Sequence, residues 1–212
     1  MDDVSRHAVI VDPADEAERI RDAVSELGAS VGAIWLTHAH FDHIGALAEL
    51  LERGPSGFDP QGGVGSASPQ GAPAPGALPV CLHPDDRPLY EHAAEQAAAF
   101  GMRVRAPRAE TTPLSHGQRV RVGEHEAVCL HTPGHAPGHI AFYFAREGLV
   151  LCGDALFAGS IGRTDLPLGD HATLLRSIRE QLLTLPDETI AYPGHGPRTT
   201  IGAERRSNPF LM

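Results

Sequence analysis

The chain of 212 residues contains no lysine, so all 17 of its basic residues are arginine. A Schiff base on lysine and a lysine general base are thereby excluded. Ala, Gly, Pro and Arg are in excess, the mark of a GC-rich coding bias, so arginine pairs do not by themselves signal function. Positive charge is short overall: 27 acidic residues leave a net charge of −10. That balance argues against a nucleic-acid partner, because gripping phosphates needs a basic groove. No stretch reaches the ~18–20 apolar residues of a membrane span, and Met1-Asp2-Asp3 is not the basic opening of a secretory signal. There are only 3 cysteines, Cys81, Cys129 and Cys152, dispersed and each inside an apolar strand pattern. They read as buried, reduced thiols. No G-x-S-x-G elbow is present, so a serine esterase finds no support. These absences point to a soluble, cytoplasmic enzyme acting on a small molecule, with neither a membrane nor a nucleic acid as partner.

Histidine is what the chain has in quantity, 13 in all. Thr37-His38-Ala39-His40-Phe41-Asp42-His43 packs three imidazoles and a carboxylate into seven residues, directly after the apolar run Val31 to Leu36. The ligands therefore sit on a stiff frame where a strand ends and a helix begins. His38 and His40 alternate along the loop while Asp42 and His43 turn another way. Four donors facing two directions suggest two divalent cations, each needing several imidazoles or carboxylates at roughly 2 Å. Three further polar residues end apolar strands in Gly-containing turns. His135 follows Ala127 to Leu130, Asp154 follows Leu149 to Leu151, and His195 follows Thr189 to Tyr192. A lone His pair suits a solvated turn; seven potential ligands at strand ends do not.

The succession THAHFDH, TPGH, CGD and PGHG resembles the metallo-β-lactamase fold hydrolases. ALFAGSIGRTDLP, LPDETIAYPGHGP and ERRSNPF resemble its short, single-domain glyoxalase II-like (hydroxyacylglutathione hydrolase-like) branch, from about Ala8 onward. The resemblance implies one α/β domain over 1–212, a four-layer αββα sandwich. It implies that His38, His40 and His135 hold one metal, that Asp42, His43 and His195 hold a second, and that Asp154 bridges both. Asp42 and Asp154 are then the catalytic carboxylates, Asp42 also orienting the nucleophile. Two divalent ions per chain are expected; the N/O donor set suits Zn²⁺ and also admits Fe or Mn. The reaction implied is hydrolysis of a small-molecule thioester, S-lactoylglutathione or a related S-acyl-glutathione. Rivals are a lactone hydrolase or a sulfur dioxygenase on the same fold and, from another class, a metal-binding protein without turnover. Cys152 as a ligand is disfavoured, since Asp42 already fills the second-metal position.

Around this set the expectations are modest. Arg163, in Gly159 to Asp165, either pins its loop through a carboxylate or meets an anionic substrate. His131 and His139 flank the His135 turn and should brace it. His7, His83, His92, His116, His125 and His171 are expected to be structural or exposed. Without lysines, the grip on a glutathione carrier should be weak. Members of the branch usually start upstream of the strand Ala8 to Val11, so either the true start lies elsewhere or the strand's edge is open to pairing, with monomer and dimer both admitted.

Periodicity predicts helices over Asp15–Leu27, Ile44–Leu51, Pro84–Phe100 and His171–Leu185, and three short strands between Arg119 and Leu151. Residues 54–79 break the rhythm: of 26 residues, 7 are Gly and 6 are Pro, with no Arg or Glu. We read them as a flexible insertion of the linker type, with a lid over the metal site as the alternative. Replacing 54–79 by a short Gly-Ser turn should leave the thermal midpoint nearly unchanged. A selective rise in KM would support the lid, and a large loss of stability would show that the segment packs.

Overall fold

Parallel strands cannot be joined by a tight turn, so each pair needs a crossover, usually a helix. The first part of the chain is built on that rule. The structure, a computed structural model, describes residues 1–53 and 78–212. The expected insertion lies outside the described residues, apart from Leu78 and Pro79. Two compact units are formed: Met1–Leu114 with Val120–His125, and Ser115–Arg119 with Glu126–Met212.

In the first unit, β1 (His7–Val11) leads through α1 (Ala17–Glu26) to β2 (Ser30–Trp35). Then come α2 (Phe41–Ile44), α3 (Leu47–Arg53), β3 (Val80–Leu82), α4 (Arg87–Glu91), α5 (Ala93–Ala99) and β4 (Thr111–Pro113). The four strands form one sheet in the order β1-β2-β3-β4, and every pairing is parallel. Parallel strands finish at the same edge. Asp12, the segment Thr37 to His43 and the turn His83 to Asp86 are therefore delivered side by side.

The second unit is mostly antiparallel. β6 (His125–His131) begins at the boundary, just after β5 (Arg119–Val122), which straddles it. β7 (Ile140–Phe144) pairs antiparallel with β6 and with β8 (Leu149–Gly153). β9 (Leu156–Phe157) and β10 (Ser160–Ile161) make a small hairpin. After α6 (His171–Ser177), β11 (Ile190–Pro193) joins β8 in parallel, and β12 (Thr199–Thr200) pairs back on β11 before α7 (Ile201–Ser207). Leu130, Val150, Cys152, Leu156, Leu174, Ile178, Leu182 and Ile201 form its core.

Several expected boundaries shift for local reasons. The helix expected over Ile44–Leu51 is two helices, because the chain is tied to the end of β1 between them. Ala46 N–H donates to Pro13 O at 3.0 Å, and a Cβ at Gly45 would lie 2.3 Å from Ala14 O. The helix expected over Pro84–Phe100 divides at His92, whose φ of −109° and ψ of 27° leave the helical range. Arg119 to Leu151 holds four strands rather than three, because Gly123, at φ +55°, turns β5 into β6. The helix from His171 widens into a π-helical segment, Ile178–Leu182. β3 and β4, three residues each, are too short for periodicity to register.

Asp2 anchors the start of the first unit. Its carboxylate, only 2% exposed, accepts from Val4 N–H, Ser5 N–H, Ser5 Oγ and Glu124 N–H at 2.7–3.0 Å. The Glu124 amide, followed by Ser5, holds its pKa well below the usual carboxylate range. A depressed carboxylate stabilises the fold above its unfolded pKa of about 3.9, and that contribution disappears as pH falls toward the lower folded value. Asp2→Ala should therefore lower the thermal midpoint at pH 7 but change it progressively less below about pH 4, which a pH series of melting curves will read.

Candidate metal centre

Each unit carries a cluster of histidine and aspartate at strand ends. In the first, Asp12 closes β1 in the left-handed region, at φ 47°. Its Oδ1 accepts Thr37 N–H at 2.7 Å; its Oδ2 accepts the Thr37 hydroxyl at 2.6 Å and His43 Nδ1 at 3.1 Å. The Thr37 hydroxyl has one proton, and the carboxylate takes it. His38 Nδ1, 3.0 Å from the same oxygen, must then donate. Both rings thus hold their proton on Nδ1 and their lone pair on Nε2, the tautomer a metal-binding imidazole presents when a neighbouring group fixes its orientation. His38, His40 and His43 are all buried, with ring centroids 4.8 Å apart for His38–His40 and 4.1 Å for His38–His43. Asp42 lies half-buried on the first turn of α2, beside His43. The loop itself is fixed by Asp86, fully buried, which accepts Ala39 N–H at 3.0 Å.

In the second unit, His135 Nδ1 donates to Arg163 O at 2.8 Å, which again leaves the lone pair on Nε2. That Nε2 lies 3.6 Å from Asp154 Oδ2, and His195 Nε2 lies 3.6 Å from the same oxygen. This is too long for a good hydrogen bond. It is close to the ~3.3 Å separating two ligands that share a tetrahedral cation at ~2.0–2.1 Å. One carboxylate oxygen thus stands between two imidazoles, the placement a bridging ligand needs. The donor chemistry fits divalent cations.

His139 is excluded from ligation by the same bookkeeping. Its Nε2 accepts Asp154 N–H at 3.0 Å, so its proton is on Nδ1, which faces Thr132 Oγ1 at 2.8 Å. It holds the Asp154 backbone in place. His131 Nε2 donates to Pro137 O at 2.9 Å and ties the same turn from the other side. The bracing expected of both residues is what they do. His116, expected to be structural or exposed, is exposed and accepts His131 N–H through Nδ1 at 3.2 Å. Gly162 completes the packing: a Cβ there would meet Asp154 O at 1.9 Å and His135 Cβ at 3.2 Å.

Arg163 has its guanidinium forked onto Asp165, with both contacts at 2.8 Å. The fork holds the Asp165 pKa down to about 2. Loop pinning is the role its side chain fulfils, and its carbonyl orients His135. Cys152 lies fully buried and burial pushes its thiol up to about 12, so it is no thiolate at neutral pH.

Residues 4–57 and 72–195 match the family model described as the metallo-beta-lactamase superfamily. The chain belongs to the metallo-β-lactamase superfamily. The match spans both units, and its interruption falls inside the Gly/Pro-rich stretch. The α/β fold of the metallo-β-lactamase type, expected from the sequence, is the one the chain has. Hydroxyacylglutathione hydrolase GloC of Haemophilus influenzae is 38% identical over 99% of this chain and 89% of its own length. Among solved structures, TTHA1623 in a di-iron-bound form is 43% identical with a TM-score of 0.78, covering 95% of this chain and 88% of that one. The BLEG-1 B3 metallo-beta-lactamase is 36% identical with a TM-score of 0.82, covering 98% and 90%. As a member of the superfamily the chain is a metallo-hydrolase. No helix among the described residues is long and apolar enough to cross a membrane.

Asp12 and Asp86 are the functional residues the sequence reading missed. The usable signal was topological: in a run of parallel strands, an Asp just beyond each strand end falls next to the HxHxDH loop. Asp12→Asn replaces one acceptor oxygen by a donor amide facing either Thr37 or His43. Metal affinity should fall by about 10–100-fold, as for other groups that orient ligands, with a smaller proportional effect on the thermal midpoint of the metal-free protein. Competition with a chromophoric chelator reads the first quantity and differential scanning fluorimetry the second.

Proposed function

We propose that the protein is a dinuclear metal-dependent thioesterase whose substrate is S-lactoylglutathione or a related S-acyl-glutathione. The observation that carries the metal part is Asp154 Oδ2, equidistant at 3.6 Å from His135 and His195. The similarity to a hydroxyacylglutathione hydrolase supports the substrate class. In this reading His38, His40 and His135 hold one ion, Asp42, His43 and His195 the other, and Asp154 is common to both. Zn²⁺ suits the donors; iron suits them too and is bound in one similar structure.

When bound, the ions supply a water-derived nucleophile near neutral pH and polarise the acyl carbonyl. The chain's own residues orient and exclude. Asp42 accepts a hydrogen bond from the attacking water and so aims its lone pair at the acyl carbon. Asp12, through Thr37 and His43, keeps the imidazole lone pairs on Nε2. No strong general acid is needed for departure, because a thiol with a pKa near ~8.5 leaves as thiolate. The carrier is held weakly. Arg163 is forked onto Asp165, while Arg205 and Arg206 both pair with Asp187, so these three guanidiniums already have acidic partners.

Metal analysis of protein purified without chelator should give close to two ions per chain, and about one after Asp42→Ala with His195→Ala. At most one ion in the fully reconstituted parent would end the dinuclear reading. S-lactoylglutathione should be hydrolysed, and shortening the glutathione to a cysteamine-sized thiol should cost only about tenfold in kcat/KM, ~1.4 kcal/mol. A thousandfold loss would reveal a specific glutathione pocket. Turnover of a lactone or a β-lactam in preference to every thioester would reassign the substrate, and two ions with no turnover at all would favour a binding protein.

A further inference from the structure

The motif Glu204 to Phe210 marks the family branch in the sequence but takes no part in the chemistry above. In the structure it closes on the hairpin formed by β9 and β10. We propose that Glu204 and Asn208 are positioning residues that fix the His135 imidazole, and with it the metal centre, through that hairpin.

Glu204 and Asn208 are 4% and 0% exposed. Glu204 Oε1 accepts the Thr199 hydroxyl at 2.6 Å, and its Oε2 accepts Gly159 N–H at 2.9 Å and Asn208 Nδ2 at 2.8 Å. Asn208 Nδ2 also donates to Ser160 O at 2.9 Å, and its Oδ1 accepts Phe210 N–H at 3.0 Å. Gly159 in the hairpin turn and Ser160 at the start of β10 are therefore gripped from α7 and its C-terminal cap. A short segment then carries the constraint to the site. Gly162 is pressed against Asp154 O and donates to Ala155 O at 3.3 Å, and the next carbonyl, Arg163 O, receives His135 Nδ1–H at 2.8 Å. Gly162 has no room to move toward the Asp154 backbone, so a displacement of the hairpin is passed along the chain to Arg163. A buried carboxylate is costly unless its hydrogen bonds are met, and an apolar side chain would serve packing alone more cheaply. The network defines a geometry.

The affinity arm of the test rests on the metal reading of the site. Zn²⁺ affinity of the full chain, measured by chelator competition, should fall about 10–100-fold in Asn208→Ala and in Glu204→Ala. Glu204→Gln should stay close to the parent, because its amide oxygen can keep Gly159 and Asn208 while the Thr199 hydroxyl turns from donor to acceptor. A second readout uses metal-free protein. The His135 Nδ1–H proton, followed by ¹⁵N–¹H NMR, should be slowly exchanging in the parent and in Glu204→Gln, and lost in both alanine variants. Leu182→Ala, in the same core, controls for general loosening: it should lower the thermal midpoint yet keep the affinity and the signal. If the alanine variants do not fold, Thr199→Val removes one bond only and should show the same changes, smaller. Parental affinity and an intact signal in the alanine variants would overturn the proposal. So would an equal loss of both in Leu182→Ala. A parent that binds no Zn²⁺ would refute the metal reading instead, while the His135 signal would still decide the clamp.

Discussion

A neutral imidazole has one proton and one lone pair, and the candidate centre depends on which nitrogen holds which. His38, His43 and His135 each hand their Nδ1 proton to an oxygen of the protein. His139 does the same toward Thr132, but its lone pair is already committed to the Asp154 amide. The same residue type in the same tautomer is therefore a candidate ligand in three places and a brace in the fourth. What differs is the partner of Nε2, which no sequence motif states.

The motifs were nevertheless enough to reach the superfamily, because ligands must sit on rigid strand ends and strand ends leave a readable mark. An apolar run followed by Gly and a polar residue is visible at His135, Asp154 and His195. Asp12 and Asp86 were illegible by the same method. Asp12 precedes a proline and Asp86 is one of two adjacent aspartates in a turn, both commonplace, and each becomes informative only when parallel pairing puts β1, β2 and β3 in register. Short elements were lost for a related reason: β3, β4 and the two strands of the β9–β10 hairpin span two or three residues each, too few for a two-residue alternation to repeat.

The arginines were legible only as alternatives. Arg163 admitted a loop-pinning or an anion-binding role, and the Arg205–Arg206 pair by itself signalled no function. The structure gives them Asp165 and Asp187 as partners. Exposed ion pairs of this kind add little stability, typically ~0–1 kcal/mol. Their consequence is that these charges are already answered within the protein.

Gly162 has a side-chain position that is filled by the Asp154 backbone, 1.9 Å from where a Cβ would be. It donates no ligand and offers nothing to a substrate. In a saturation mutagenesis map, however, its row would look like that of a ligand, blank for every substitution. Intolerance at such a position measures how tightly the scaffold is folded around the metal ligands. Telling the two apart requires asking whether the substituted protein has lost its metal by losing a donor or by losing the room in which the donors stand.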